Sequence, residues 1–197
     1  PEQTPPDQAR HQYEERATAA LEDLSEEFRA AGGAADHRLV FTHDREQTVT
    51  RIADEITANA FAISGMTGDV DTILVSLSGD VAVGRITAFV TELIGDRDIA
   101  VTLLLASGAE AAVDDRLETA ATQLREAGID TNTSTATGSP FESLMDAAPT
   151  HDAIVIGEAA PSLRSLVFGD AAERVAASSV GPVLVVRRDD ESESTES

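Results

Sequence analysis

Apolar residues recur along this chain with two periods, one helical and one extended, and their alternation predicts the architecture. Near the start, Tyr13, Ala17, Leu21, Leu24 and Phe28 follow one another at three- or four-residue steps, the stripe of an amphipathic helix. Pro5, Pro6 and Asp7 open that helix, and Gly32 and Gly33 stop it. Residues 37–42 then read as a short strand. Asp44 with Gln47 three residues later reads as a capping box, for a helix whose inner face carries Val49, Ile52, Ala53 and Ile56. A short apolar run at 60–64 reads as another strand, closed by Gly65 and Gly68.

From residue 69 the pattern returns in a longer form. Strands are predicted at 72–77, 99–106, 129–136, 152–157 and 182–187. The run at 99–106 is almost continuously apolar, as in a sheet covered on both faces, whereas 129–136 alternates with threonines and reads as a strand nearer an edge. Between them lie helix faces built from Val83, Ile86, Val90 and Leu93, and from Leu117, Ala121 and Leu124 before Gly128. Ser139, Pro140 and Glu142 supply an N-cap, an N1 proline and a reciprocal N3 glutamate for a further helix. Asp170 and Glu173 do the same for a helix over 170–178. Strands alternating with helices call for parallel pairing and right-handed crossovers. The fold class expected is α/β, an open five-stranded parallel sheet with helices on both faces.

The two halves also repeat one another. Phe28-Arg29-Ala30-Ala31-Gly32 corresponds to Leu124-Arg125-Glu126-Ala127-Gly128, and each is followed by a strand, a capped helix, a short apolar strand and a glycine. The first copy lacks the strand–helix–strand that opens the second, and the chain begins at Pro1 rather than Met. Residues 1–68 therefore read as the C-terminal part of a first domain whose beginning lies upstream. Residues 69–188 read as a complete domain, and 189–197 as a disordered, solvated acidic tail.

Composition changes this picture in one respect. There are 36 acidic residues against 14 basic ones, a net charge of −22, and every basic residue is Arg. Such a charge repels itself in dilute buffer. At about 1 M salt the screening length falls to roughly 3 Å, and crowded carboxylates become tolerable, so a salt-rich cytoplasm is the expected setting. Nucleic acid and anionic membranes are poor partners, since both require cationic patches. No apolar run reaches the roughly 20 residues that cross a bilayer, so no membrane insertion is expected. The absence of cysteine excludes disulfides, thiolate metal sites and cysteine nucleophiles. The pairs His43-Asp44 and His151-Asp152 are accounted for by turn and capping roles, and no metal site is expected.

In an open parallel sheet ligands sit beyond the C-terminal strand ends, where strand order changes direction. The loops at those ends include Ser78, Gly79 and Asp80, and the longer stretch from Gly157 to Asp170, with Gly169 just before a helix start. Glycines so placed present backbone amides to phosphates. The segments I-L-V-S-L-S-G at 73–79, D-A-I-V-I-G at 152–157, L-V-F-G-D-A-A-E-R-V at 166–175 and G-P-V-L-V-V-R at 181–187 resemble the universal stress protein (UspA-like) family. The likeness is to a haloarchaeal-type tandem protein with its first domain truncated. That resemblance implies strand order 3-2-1-4-5 and a homodimer through the last strand, 182–187. In nucleotide-binding members it also implies ATP held between the first and fourth strands.

Carried over position by position, the nucleotide pattern is damaged. Ser78 stands where such members have Asp, and Ala160 where they have a second glycine. Asp170 stands where Ser or Thr follows the phosphate glycine, and the spacing from Gly157 to Gly169 is shorter than usual. Gly157 and Gly169 survive. Asp170 at a helix N-cap would occupy the amides a phosphate needs, worth about 1 kcal/mol to the helix, and would add like-charge repulsion. The expectation is a non-catalytic stress-response domain, cytoplasmic, with degenerate or absent ATP binding and no cofactor. Two alternatives stay open, a cytoplasmic regulatory module of a membrane transporter and an ATP-binding switch with a small-molecule nucleotide as ligand.

Overall fold

The computed structural model describes residues 6–30, 36–40, 42, 44–63, 69–77, 82–106, 111–157 and 181–187. The expected helix over 170–178 and the acidic tail 189–197 lie outside them. Two compact units divide the chain, Pro1–Arg45 and Glu46–Ser197.

In the first unit, helix α1 (Pro6–Ala30) forms where the apolar stripe placed it. Ala17 and Leu21 are half-buried on it, and Ser25 is buried with its hydroxyl 3.2 Å from His37 Nδ1. Residues 36–40 and 42 carry no strand, which corrects the reading of 37–42. A strand needs a ladder partner, and α1 is the sole regular element described wholly within this unit. Thr42 instead makes a local turn, its Oγ1 accepting the Asp44 N–H at 3.0 Å and donating to the Asp44 carbonyl at 2.9 Å.

The second unit begins with α2 (Arg45–Glu55) and continues through β1 (Ala60–Ile63), β2 (Thr72–Ser76), α3 (Val83–Ile94), β3 (Ala100–Ala106), α4 (Ala111–Glu126), β4 (Thr131–Ala136), α5 (Pro140–Ala147), β5 (Ala153–Gly157) and β6 (Val183–Val186). The sheet runs β1-β6-β5-β2-β3-β4. Its five parallel strands take the expected 3-2-1-4-5 arrangement, and β4 is an edge with Asn132, Thr133, Ser134 and Thr135 exposed. Stepping outward from β2 to β3 to β4 places α3 and α4 on one face. There Ile86, Val90, Ile94, Leu117 and Leu124 cover Ile73, Val75, Val101 and Leu103. The chain then crosses back beneath β2 to β5, so a crossover of the same hand puts α5 on the other face. Leu144 and Ala148 pack there with Leu74, Leu104, Ile154 and Ile156.

The sheet has six strands rather than five, and the sixth alters the expected assembly. β1 pairs antiparallel with β6 through Ala60↔Val186, Phe61↔Val185, Ala62↔Leu184 and Ile63↔Val183. The edge of 182–187 that a second copy would need for a homodimer is therefore taken by a strand of the same chain. Arg187, 8% exposed, fastens this pairing: its backbone N–H donates to the Asn59 carbonyl at 2.9 Å, and its guanidinium donates to Asp54 of α2.

Helix ends explain how α2 delivers β1. Ala58 N–H bonds Ala53 O at 2.8 Å and Thr57 N–H bonds Asp54 O at 3.1 Å, the paired bonds of a Schellman turn. Gly128 closes α4 with the same two bonds at φ 84, but at α2 the left-handed residue is Thr57, φ 52. A β-branched residue there costs about 1–3 kcal/mol, offset by two hydrogen bonds of about 1 kcal/mol each. The turn ends the helix at Glu55 and leaves Ile56 68% exposed, a correction to its expected place on the inner face beside Ala53. Ser139 N-caps α5 by position, yet its hydroxyl makes no capping bond. Held extended before Pro140 at φ −70, ψ 126, it contributes its carbonyl instead, which accepts from Ser143 N–H at 3.0 Å and from Ser143 Oγ at 3.1 Å.

Candidate functional site

Strand order changes direction between β2 and β5, and the ladder there is the shortest of the parallel ladders around β2. β2 and β5 pair through Ile73↔Ala153, Leu74↔Ile154 and Val75↔Val155 and no further. On the flanks the pairing runs on: β2 with β3 through Ser76↔Leu104 and the Leu77 N–H to Leu104 O bond at 2.9 Å, and β5 with β6 through Gly157↔Val186. The two central strands part at Ser76 and Ile156. That opening is the crevice in which an open α/β sheet binds ligands.

Of the residues singled out from the sequence, Gly157 is placed on its rim, buried at the C-terminal end of β5. Leu77, immediately before Ser78, ends the other rim at 0% exposure. Ser78, Gly79, Asp80, Ala160, Gly169 and Asp170 lie outside the described residues.

Ser76 was not singled out, and it is the polar group that distinguishes this end of β2. It is 1% exposed, and among the described residues its Oγ has no hydrogen-bond partner. By the two-residue alternation of a strand it shares a face with Leu74, not with Ile73, Val75 and Leu77. Its ladder partner Leu104 and its neighbour Ile156 belong to the same apolar cluster as Leu74. Leaving a buried hydroxyl unpaired costs about 1–3 kcal/mol, and such orphans are rare enough to call for a role. A signal was present in the sequence, a lone Ser inside the apolar run 73–77.

At the opposite end of the same strands every contact is closed. The Asp152 carboxylate accepts from Thr72 Oγ1 at 2.8 Å, Thr72 N–H at 2.8 Å and Asp71 N–H at 3.1 Å, while Asp152 N–H donates to Thr72 O at 3.0 Å. The Thr72 hydroxyl, then the Asp71 and Thr72 amides and the charge of His151, hold the carboxyl below its ordinary value of 3.8. His151 Nδ1 lies 2.9 Å from the Ala147 carbonyl, where it can only donate. Both members of the His151-Asp152 pair thus serve structure. Among the described residues no three His, Asp or Glu side chains gather as a metal site, and no helix is long and apolar enough to cross a membrane.

Comparison with known proteins follows the sheet. The model of the universal stress protein family matches residues 72–187. A universal stress protein from Archaeoglobus fulgidus shares the fold with TM-score 0.62 at 15% identity, over 95% of this chain and 82% of that one. A universal stress protein solved in complex with cAMP aligns at TM-score 0.49 and 21% identity, over 62% of this chain and 100% of its own. A family protein from Arabidopsis thaliana with AMP bound aligns at TM-score 0.46 and 16% identity, over 64% and 97%. No curated protein matches the chain.

Proposed function

Because the chain belongs to the universal stress protein family, we propose that it is a non-catalytic stress-response module of a salt-rich cytoplasm whose crevice does not use ATP. The observation that carries this reading is the parting of β2 and β5 after Val75↔Val155. It brings Leu77 and Gly157 to the two sides of the opening, and the nucleotide pattern fails in the sequence that follows each of them. Ser78 removes a carboxylate acceptor from the nucleoside side. Ala160 adds a methyl where a backbone would approach phosphate closely. Asp170 brings its own charge to the amides of the expected helix start, in a protein already at −22. Salt screens that repulsion but leaves the competition for the same donors.

Calorimetric titration with Mg-ATP in molar KCl is expected to show no binding tighter than about 1 mM, or roughly −4 kcal/mol. Asp170→Ser is expected to improve on that, and restoring Asp at position 78 to add to it. Micromolar ATP binding by the unaltered chain would overturn the reading.

A further inference from the structure

We propose that the outer edge of β4 pairs with the same edge of a second copy of this chain, antiparallel about a two-fold axis at Ser134. In the β3–β4 ladder Val101 pairs with Thr131 and donates its N–H to the Asp130 carbonyl at 2.8 Å. The peptide groups of Asp130, Asn132 and Ser134 therefore turn toward β3, and those of Thr131, Thr133 and Thr135 turn outward. The Thr131 carbonyl is taken by the Arg125 guanidinium at 2.9 Å. Among the described residues the outward N–H and C=O groups of Thr133 and Thr135 meet no partner. Successive side chains of a strand point to opposite faces, and Asn132, Thr133, Ser134 and Thr135 are all exposed. Neither face of the sheet is covered along this stretch. Proteins ordinarily blunt such an edge with charge, proline or a bulge. β4 carries none of these, since its register runs unbroken from Val101↔Thr131 to Ala106↔Ala136.

The occupant is a second copy because the pattern is complementary to itself. Setting Ser134 opposite its own counterpart puts Thr133 against Thr135 and Thr135 against Thr133. Both become hydrogen-bonded pairs that exchange two N–H···O bonds each, so every outward group of the two threonines is satisfied. Threonine pairs of this kind favour the contact between strands. Charge permits it too. Residues 131–141 carry none, in a chain of net −22, and in this register Asp130 faces Gly138. No carboxylate therefore opposes another along the seam, and molar salt screens the remainder beyond about 3 Å. A charged peptide would find on this strand no opposite charge to select it.

The test uses the full chain in molar KCl. Sedimentation equilibrium is expected to show monomer and dimer in exchange, with a Kd on the order of 100 µM. Thr133→Pro deletes an outward N–H and leaves the ladder to β3 whole. It should weaken dimerisation at least about tenfold with the circular dichroism spectrum unchanged. Ala62→Pro is the matched change on the opposite edge of the sheet. There the Arg187 N–H to Asn59 O bond turns Asn59 and Phe61 toward β6 and Ala62 outward. It should leave the Kd within about twofold. Because the chain has no cysteine, Ser134→Cys adds its sole thiol. Across the axis the two Cα atoms would stand about 4.5 Å apart, within reach of a disulfide, so diamide should lock the dimer covalently. Thr133→Cys, whose counterpart lies two positions away, should cross-link at least about tenfold more slowly. A chain that stays monomeric up to about 1 mM, dimerisation lost in Ala62→Pro but kept in Thr133→Pro, or equal cross-linking of the two cysteine variants would each overturn the inference. The cross-linking comparison decides the matter even if a proline variant fails to fold.

Discussion

At the N-terminal ends of the parallel strands, Asp152 ties three strands together. Its carboxylate and its N–H engage Thr72 at the start of β2, and its carbonyl lies so close to Gly181, just before β6, that a Cβ there would sit 1.5 Å from the oxygen. The Asp71 carbonyl extends the same network to β3 by accepting from Ala100 N–H at 2.9 Å. At the C-terminal ends the ladder between β2 and β5 stops early and a buried hydroxyl is left unpaired among the described residues. One end is optimised for cohesion and the other accepts a local cost. In a parallel sheet the crossovers leave the C-terminal ends as the place where loops can vary around a ligand. A cost concentrated there, and absent at the other end of the same strand, is the physical signature of a site.

The largest effect expected erases the difference between the ends. Dialysis from molar KCl to low salt should unscreen the net charge of −22 and unfold the whole domain. Circular dichroism reads this, and an unchanged spectrum and melting temperature at low salt would sink the halophilic reading. Next comes Gly181→Ala, which forces backbone apart at the cohesive end. A loss of about 3–5 kcal/mol is expected, a fall of roughly 10 °C in the melting midpoint. A midpoint within about 2 °C of the unaltered chain would show that the strand starts give way easily.

Asp152→Asn is milder, about 1 kcal/mol after solvent screening is counted, and its sign depends on pH. The folded carboxyl sits below its ordinary 3.8, so near that value the unfolded chain binds more protons than the folded one. The stabilisation is complete above that pH and is lost as pH falls through the folded value. The gap between variant and parent melting points should therefore be full at neutral pH and close in acid. A gap that persists undiminished below pH 3.8 would assign the effect to packing rather than charge. Smallest of all is the stability change of Ser76→Ala, read as the shift in melting midpoint. It should be neutral or slightly stabilising, the opposite sign to either change at the cohesive end.

Much of the fold was legible because buried parallel strands are continuous apolar runs. Residues 72–77, 99–106, 152–157 and 182–187 announce themselves, and the threonines of 129–136 correctly mark the edge. Local periodicity carries no information about which distant segments pair, so the antiparallel register of Ala60–Ile63 on Val183–Val186 was not readable. The same blindness made 37–42 look like a strand, since its pattern is adequate and only a partner is missing. Ile56 fits the helical stripe, but a left-handed Thr57 ends the helix first. At the site, Gly157 was found through its resemblance to a phosphate loop. Ser76 was passed over because one serine in an apolar run is compatible with any strand, and only three-dimensional packing reveals that its hydroxyl is buried with no partner among the described residues.

The strand that closes β6 belongs to the same polypeptide, and this changes the kinetics of completing the sheet. Recruiting an edge strand from another molecule is a second-order event that slows as the protein becomes scarce. A strand tethered by the chain between Ile63 and Thr72 is instead present at an effective concentration on the order of millimolar, whatever the protein's abundance. A cell holding only a few copies would still finish every sheet it makes, at a rate set by the tether and not by encounter.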